Sequence, residues 1–511
     1  MKKLIWIFSM LVCVGLFGQK QDYIWHLGTD QGVEPGLQTM EVNFGRGAFD
    51  VKMQDSPVGF AHNNMAICDE GGQLLFYTNG CAIVNRNHEI MPNGHRMNWD
   101  SFFTEITGWN EDCDTGYPGT QNMLILEDPA YSEGHYLIHK SIYFGNDGLT
   151  HTELRSSYVD LALENGLGNV LYVDSLVAEN YVPLPAYLSA IRHENQIDWW
   201  ILQVIEESNQ ISTFLIDETG IHRQEDQNAY EFFQLHFSGG GGTARFSPDG
   251  TKYSIFHRVN DLHIYDFDRG TGLLTNHQKI ELFDSPQDSF DHKFGSVEWS
   301  PNGRFIYTCV DDTLLQVDSW ETDIQNEGIR FIDEYNGTLD PFPTTFRLMA
   351  LAPDCKIYMC SGNGSNSYHV IHNPNELGTS CDFVQNGIKL PQHSGSANIP
   401  LHPRWRVDEE EVCDSTITSI FGQDVYYRKE LRLFPNPTDG PFTINLPDKL
   451  SIGTIVIYNI NGEIVIQQEL STSLNRHQLN ISDLPEGNYR LEVYPKSNKD
   501  RIFYGAQIIK L

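Results

Sequence analysis

The sequence predicts an all-β protein: a six- or seven-bladed β-propeller followed by a small C-terminal β-sandwich. Three observations lead to this fold class. The body consists of short apolar and aromatic runs bounded by turn residues, which is typical of strands. One turn motif recurs along the body at a nearly constant spacing. The pattern then changes near the C-terminus, where a second compact set of strands begins.

Residues 1–18 have the pattern of a signal peptide. Lys2 and Lys3 precede an apolar run over residues 4–17, which Ser9 alone interrupts. Such a run is too short to span a bilayer, but it fits the hydrophobic region of a secretory signal. We therefore expect the chain to leave the cytoplasm, and we predict no transmembrane segment after signal cleavage.

The recurring motif is a tight turn between an apolar strand and an aromatic one. Its clear copies are Phe246-Ser-Pro-Asp-Gly250, Trp299-Ser-Pro-Asn-Gly303 and Leu351-Ala-Pro-Asp-Cys355, about 52 residues apart. Proline presets φ at the second turn position, and Asp or Asn favours the next. Weaker copies at residues 69–72, 132–134 and 193–195 bring the number of visible units to about six. This spacing suits a four-stranded propeller blade.

Sheets of this kind cannot bury both faces alone, and closing them into a ring solves the problem. We therefore predict that residues 19–408 form the propeller. Residues 23–27 and 398–402 are predicted strands at opposite ends of this body. Their pairing would close the ring, either by completing a sixth blade or by building a seventh.

Residues 409–430 are predicted to be a linker, because a charge run at residues 408–411 is followed by no blade pattern. A compact β pattern begins at Leu431. Its predicted strands cover residues 442–446, 454–458, 463–466 and 488–493. Asn461-Gly462 is a strong hairpin signal between two of them. Residues 431–511 are thus predicted to be a β-sandwich.

The overall charge excludes one class of partner. The 511 residues include 68 acidic and 34 basic side chains, a formal net charge of −34. A phosphate backbone would be repelled, so we predict no nucleic-acid partner. Eight cysteines follow the signal, at positions 68, 81, 113, 309, 355, 360, 381 and 413. An oxidising compartment permits disulfides among them, but the sequence leaves their connectivity open.

Known catalytic signatures are missing from the sequence: it has no GxSxG, HExxH or GxxxxGK[ST] motif, so no catalytic residue is predicted. A long loop over residues 97–120 is a candidate ligand-binding site. Its aromatic residues are Trp99, Phe102, Phe103, Trp109 and Tyr117. Such rings could stack on sugars or anchor a protein partner. The alternative is that they pack the loop onto the propeller.

The same loop contains a candidate metal site. Asn110, Asp112 and Asp114 alternate oxygen ligands as at the front of a Ca²⁺ loop. However, Gly116 falls one residue late, and Gln121 stands where a bidentate Glu would close the site. An ordinary acidic loop is the alternative, and no other cofactor is predicted.

Residues 431–511 resemble the type A sorting domain of the type IX secretion system of Bacteroidetes. The resemblance rests on three segments, 433–440, 457–462 and 481–489, and on the terminal Ile508-Ile-Lys-Leu511. Its motif residues are Pro435, Asn436, Pro437, Gly440, Asn461, Gly462, Gly487, Tyr489 and Lys510. The resemblance implies that the type IX machinery is a partner and that the protein is secreted or displayed on the outer cell surface.

The body resembles the WD40-like propellers of secreted Bacteroidetes proteins. The matching segments include residues 67–80, 85–88, 265–268 and 371–375. This resemblance implies a fold and a location rather than an activity. Cys68 and Cys355 stand where such proteins often have Ser and Gly, which implies that both belong to disulfides of this protein.

The leading hypothesis is a non-enzymatic binding or scaffold protein whose propeller binds a glycan or an envelope protein. The rival is a secreted hydrolase or lyase that uses carboxylates in the central channel. Propellers host both kinds of function, so fold alone cannot decide between them. Convergence of two or more acids or histidines in one pocket would favour the enzyme.

Overall fold

The structure of the protein is a computed structural model. It describes residues 19–29, 38–45, 49–99, 116–145, 148–178, 183–233, 241–282, 295–310, 312–395, 398–407, 413, 427–445, 452–459, 464–469, 476–495 and 502–511. The predicted signal peptide lies outside these ranges. Among the residues that are described, no helix is long and apolar enough to cross a membrane. Their helices are three short turns, Glu164–Gly166, Ile324–Gly328 and Gly378–Cys381.

The described part of the body forms seven antiparallel sheets, which we call blades 1 to 7 in chain order. Blade 1 has β1 (Ile24–Leu27), β2 (Met40–Asn43) and β3 (Asp50–Met53), and blade 2 has β4 (Met65–Cys68), β5 (Leu74–Thr78) and β6 (Ile83–Asn85). Blade 3 has β7 (Met123–Asp128), β8 (Tyr131–Gly145), β9 (Gly148–Asp160) and β10 (Asn169–Leu176). Blade 4 has β11 (Ser189–Arg192), β12 (Trp199–Val204), β13 (Ser208–Asp217), β14 (Gly220–Arg223) and β15 (Gln227–Phe233).

The last three blades contain the recurring turn. Blade 5 has β16 (Gly242–Phe246), β17 (Lys252–His257), β18 (Asp261–Asp268) and β19 (Leu273–Ile280). Blade 6 has β20 (Gly295–Trp299), β21 (Phe305–Val310), β22 (Thr313–Asp318) and β23 (Ile329–Glu334). Blade 7 has β24 (Phe346–Leu351), β25 (Ile357–Ser361), β26 (Ser365–Ile371) and β27 (Phe383–Ser394). The first strand of each blade lies innermost, and the chain then runs outward strand by strand.

In these three blades the turn joins the first strand to the second. Asp249 and Asn302 each accept a backbone N–H from two residues further on, at 3.1 Å. Gly250 and Gly303 follow with φ near +70°, which glycine adopts without strain. Among the weaker copies, the turn predicted at residues 132–134 is misplaced, because these residues already belong to β8.

Hydrophobic clusters lie between neighbouring blades around the whole ring. Blades 2, 3 and 4 share one cluster, blades 4 and 5 a second, and blades 5 and 6 a third. Blades 6 and 7 share another. Trp25 and Phe44 of blade 1 pack against Tyr358 of blade 7, which joins the two ends of the ring. These aligned sheets with shared cores form a β-propeller, and the described residues give it seven blades.

Residues 398–407, which we call the closing segment, tie the end of the propeller back to blade 1. Asn398 Nδ2 donates to the Gly28 carbonyl at the end of β1 (2.7 Å). Arg406 binds Asp22 just before β1 begins, with two contacts of 2.6 Å. The segment therefore runs antiparallel to β1, and at Arg404 it forms a parallel bridge to Ile191 of blade 4. The prediction that residues 398–402 form a strand is wrong, because Pro400 and Pro403 have no N–H to donate to a ladder.

A disulfide fixes the chain just beyond the closing segment. Cys355 bonds Cys413 and occupies the turn position that glycine holds in blades 5 and 6, with φ of 64°. The expectation that Cys355 belongs to a disulfide is confirmed. The same expectation for Cys68 is wrong, because its thiol is buried and free. Cys81 is also disulfide-bonded.

The C-terminal domain has eight strands in the described residues. They are β28 (Tyr427–Glu430), β29 (Arg432–Phe434), β30 (Pro441–Asn445), β31 (Ile452–Tyr458), β32 (Ile464–Glu469), β33 (Arg476–Asn480), β34 (Gly487–Pro495) and β35 (Ile502–Lys510). Strands β29, β30 and β33 form one sheet, and β28, β35, β34, β31 and β32 form the other. The two sheets enclose one hydrophobic core, as in a β-sandwich. Strand β28 also pairs with β3 at Arg428 and Lys52, which joins this sheet to blade 1.

Replacing Asn398 tests the ring closure. Asn398 is fully buried, accepts from Asn64 Nδ2 at 2.7 Å and donates to Gly28. Asn398→Ala would leave both partners unpaired, so we expect the free energy of unfolding to fall by about 3 kcal/mol. Denaturant unfolding followed by tryptophan fluorescence measures the change.

The matched control is Asn375→Ala. Asn375 is exposed and accepts one backbone N–H from Asn302 at 3.0 Å. We expect a loss of less than about 1 kcal/mol there. Equal losses in the two variants would contradict the closing role of Asn398.

Candidate functional site

A row of tyrosines crosses the outer three strands of blade 3. Tyr136, Tyr158 and Tyr172 are direct cross-strand neighbours on β8, β9 and β10. The rings of Tyr136 and Tyr158 meet edge to face with centroids 4.9 Å apart. The rings of Tyr158 and Tyr172 stack at 5.9 Å with an angle of 20° between their planes. Tyr172 is 40% exposed, so the row opens to solvent at its outer end.

Carboxylates hold the hydroxyls of this row. Tyr158 donates to Asp128 at 2.5 Å, and the exposed Tyr131 donates to Asp160 at 3.3 Å. A Cβ on Gly134 would lie 2.0 Å from the Tyr158 hydroxyl, so only glycine leaves room for this contact. The result is a rigid aromatic surface with oriented acceptor groups. We call Tyr131, Tyr136, Tyr158 and Tyr172 the tyrosine row.

The surroundings of the tyrosine row are acidic. Burial, then Asp128, Tyr172 and Asp217, together raise the pKa of Tyr136 to about 12. Burial, then Asp128, also raises the pKa of Tyr158. Sequence reasoning missed this surface, because its members come from three strands and share no local motif. The one signal in the sequence for this surface was the alternation of side chains along each strand.

The aromatic loop that the sequence singled out is partly described. Tyr117 is fully buried beside Cys81 and Ile142, and its hydroxyl accepts the N–H of Ile142 at 2.6 Å. Its ring is therefore not a surface that a ligand can reach. Trp99 is half-buried on the same cluster, with the Arg96 guanidinium 4.7 Å above its ring. These two rings pack the loop onto the propeller, which is the alternative to ligand binding.

The other candidates in this loop lie outside the described residues. They are Phe102, Phe103 and Trp109 for ligand binding, and Asn110, Asp112 and Asp114 for Ca²⁺. Those assignments stay predictions. Elsewhere, in the part of the chain that is described, no group of three or more His, Cys, Asp or Glu side chains could hold a metal ion.

One buried cluster has the side-chain order of a hydrolase. His139 Nδ1 lies 2.8 Å from Asn98 Oδ1, and Nε2 lies 3.0 Å from Ser157 Oγ. Because Asn98 Nδ2 already donates to Gly80, its Oδ1 accepts, so Nδ1 of His139 carries the proton. The serine hydroxyl then donates to Nε2, as in a nucleophile–base pair.

This cluster is nevertheless structural. Ser157 is fully buried and also accepts the backbone N–H of Asp174, so a substrate cannot reach its hydroxyl. Burial lowers the pKa of His139 to about 3 and keeps the imidazole neutral. The hydrogen bonds link blade 3 to the loop beyond blade 2, since Asn98 also donates its backbone N–H to Asp174 at 3.0 Å.

The end of the channel brings acids and a histidine together, the arrangement expected of an enzyme. Asp22 and His402 line one cavity there, and Glu298 lies behind it. Burial raises the pKa of Glu298, but Arg245 and Arg404 outweigh it and keep the pKa below its ordinary value. Arg406 does the same for Asp22. Both acids are thus held ionised by arginines, and the free space, about 20 Å³, is too small for an organic substrate.

The motif residues of the C-terminal domain clamp its last strand. Asn436 Nδ2 donates to the Gln507 carbonyl, and Asn436 Oδ1 accepts the N–H of Ile509, both at 2.8 Å. Thr438 forms a bridge to Lys510, at the end of β35. The flanking Pro435 and Pro437 follow cis peptide bonds.

The remaining motif residues support the same core. Gly440 precedes β30, and its carbonyl accepts the N–H of Ile481 at 2.9 Å. Gly487 begins β34 opposite Lys510, and the buried Tyr489 donates its hydroxyl to Pro485 at 2.8 Å. Asn461 and Gly462 lie outside the described residues.

Comparison with protein families agrees with this geometry. Residues 432–502 match the model of the secretion system C-terminal sorting domain. The protein is therefore exported by the type IX secretion system and is secreted or displayed at the cell surface. The match concerns the C-terminal domain, and the body is classed by its own sheets as a β-propeller. No curated protein matches the chain.

Solved structures similar to the chain share little sequence with it. A protein from Lactobacillus plantarum is 13% identical, with 73% of this chain and 98% of that chain covered and a TM-score of 0.41. A protein of unknown function from Desulfotomaculum acetoxidans is 12% identical (74% and 99% covered, TM-score 0.38). The periplasmic gluconolactonase of Pseudomonas aeruginosa is 14% identical (73% and 98% covered, TM-score 0.36). At these values the similarity says nothing about activity.

Export should depend on the clamp around β35. Deleting residues 431–511 should leave the body in the periplasm. Asn436→Ala removes both side-chain contacts to β35, so we expect the secreted fraction to fall several-fold. Immunoblots of medium and periplasm measure it. The control, Asn445→Ala, changes an exposed asparagine of β30 and should leave secretion normal. If the protein that lacks residues 431–511 were secreted normally, the sorting role of the C-terminal domain would be contradicted.

Buried histidines should make the fold sensitive to acid. Burial lowers the pKa of His135 from 6.5 to about 4. Between these values the unfolded chain binds the proton and the folded chain does not, so the free energy of unfolding falls as the pH falls from about 6.5 to 4. His135 packs edge-on against Phe76, and His135→Phe removes the titrating group. We expect the decline to shrink by about 3 kcal/mol. Denaturant unfolding at pH 7 and pH 4 measures it, and equal declines would contradict the assignment.

Proposed function

We propose that this exported propeller is a non-enzymatic binding protein and that its tyrosine row binds a neutral polysaccharide. The observation that carries the proposal is the exposed, rigid aromatic surface of blade 3. An aromatic ring offers a flat apolar face on which a sugar ring can stack. Because the tyrosines stand on neighbouring strands rather than on a loop, little conformational freedom is lost on binding.

The polar groups around the row suit sugar hydroxyls. Asp128 and Asp160 are acceptors, and each is already oriented by a tyrosine hydroxyl. Sugars donate hydrogen bonds from several hydroxyls, so carboxylate acceptors beside an aromatic face match them. Asp128, Asp160 and Asp217 contribute to the raised pKa of Tyr136 or Tyr158, and these carboxylates would repel an anionic polysaccharide. A neutral glycan is therefore favoured.

The rival function, a hydrolase or lyase working in the channel, has less support in the described residues. The acids at the channel end are paired with arginines, and the serine of the His139 cluster is sealed. Envelope proteins remain a second class of partner. A basic protein segment could also contact an acidic aromatic surface, and the binding test includes that outcome. The resemblance to WD40-like propellers of Bacteroidetes fits either partner.

The proposal predicts a local binding defect. Tyr172→Ala removes the exposed ring of the row while leaving the Tyr158–Asp128 contact in place. We expect the affinity for the bound polysaccharide to fall about tenfold. Glycan arrays and pull-downs with insoluble neutral polysaccharides identify the ligand, and titration of the hit compares the variants.

The matched control is Tyr230→Ala on blade 4. Tyr230 is 57% exposed and also stacks on a neighbouring ring, that of His277, at 5.0 Å. Its loss should leave glycan binding unchanged. Binding to basic peptides instead of glycans would replace the polysaccharide by a protein partner, and turnover of a polysaccharide would restore the enzyme hypothesis.

A further inference from the structure

A small cavity lies where the closing segment crosses the end of the channel. The closing segment supplies most of its wall, and Asp22 just before β1, blade 5 and blade 7 supply the rest. The polar side chains and the indole that line it are those of Asp22, Arg245, His402, Arg404, Trp405 and Arg406. The free space is about 20 Å³, which holds an object the size of one water molecule.

The charges around this cavity do not balance. Arg406 is paired with Asp22, and that pair is neutral. Arg245 and Arg404, however, share the single carboxylate of Glu298, whose two oxygens each receive one guanidinium. Both arginines are buried, at 5% and 8% exposure. One positive charge is therefore left over in a site with room for about one water molecule, and an uncompensated buried charge is costly.

Hydrogen-bond donors without acceptors surround the same space. Trp405 is 2% exposed, and its indole N–H has no acceptor among the described residues. His402 is 6% exposed, and its Nε2, a donor in one of the two neutral tautomers, also lacks a partner within the described part of the chain. Indole and guanidinium groups donate and never accept, so they cannot satisfy each other. Asp22 is the one carboxylate of the lining, and Arg406 occupies both of its oxygens.

We propose that this cavity binds a small inorganic monoanion of the size of chloride. The anion neutralises the surplus charge of Arg245 and Arg404 and accepts the N–H groups of Trp405 and His402. A water molecule has the right size, but it leaves the charge uncompensated. Burial and the neighbouring Arg404 lower the pKa of Arg245 to about 10. The charged form of Arg245 is therefore unfavourable in this place, and a bound anion stabilises it.

Anion binding would be coupled to closure of the ring. His402, Arg404 and Trp405 belong to the closing segment, whereas Arg245 belongs to the inner strand of blade 5. The site exists only when the closing segment is in place. An anion that binds the closed ring and not the unfolded chain stabilises the closed ring by mass action.

Thermal unfolding of the full chain at constant ionic strength tests this site. Sodium chloride replaces sodium gluconate, whose anion is too large for the cavity. We expect a saturable rise of the Tm of the propeller, by about 2 °C at a chloride concentration ten times the Kd. Bromide should in addition quench the fluorescence of Trp405, as judged by the difference between the wild type and Trp405→Phe.

Two variants and one control separate the site from a general salt effect. Arg245→Met leaves Arg404 and Glu298 as a neutral pair, so the chloride-dependent rise should vanish. If that variant does not fold, Trp405→Phe removes only the indole N–H and should shift the midpoint to higher chloride. The control Arg304→Met removes an arginine that pairs with Asp318 and does not line this cavity, so it should keep the full rise. A wild type indifferent to chloride, or equal rises in all variants, would overturn the proposal.

Discussion

The propeller depends on one buried carboxylate, that of Glu298 on the inner strand of blade 6. One oxygen accepts Arg245 of blade 5 and the backbone N–H of Leu351 in blade 7, and the other accepts Arg404 of the closing segment. A ring of separate sheets has no covalent closure, so its ends must be held by contacts between residues far apart in the chain. The network is buried from water, and it connects neighbouring blades through their innermost strands.

Arg404 extends the same constraint to a fourth blade. Its backbone N–H donates to Ala190 of blade 4 at 3.2 Å, and its Nε donates to Phe246 of blade 5 at 2.9 Å. Immediately beyond, the Cys355–Cys413 disulfide holds the chain against blade 7. The buried carboxylates at the channel end thus serve closure, since arginines occupy their oxygens. The surface proposed to bind a glycan lies elsewhere, on the outer strands that carry the tyrosine row.

The sequence predicted the features that depend on local chemistry. The turns of blades 5, 6 and 7 lie where the Pro-Asp/Asn pattern placed them, and β30, β31 and β34 overlap the predicted strands. Residues 398–402 do not form the predicted strand, because Pro400 and the following Pro403 lack the N–H that a ladder needs. The tyrosine row and the Glu298 network could not be predicted, because strand register and ring order bring their residues together over long separations.

The acidic surface and the arginine-rich channel end follow from the same rule for charges. The chain carries a net charge of −34, yet the channel end holds more arginine than carboxylate. Exposed acids are solvated and cost little, whereas a buried charge must be balanced within a few ångströms. The long-range field of the acidic surface cannot supply that balance as well as a contact can. The closing segment therefore creates an excess of guanidinium charge where the ring closes. A bound anion balances that charge.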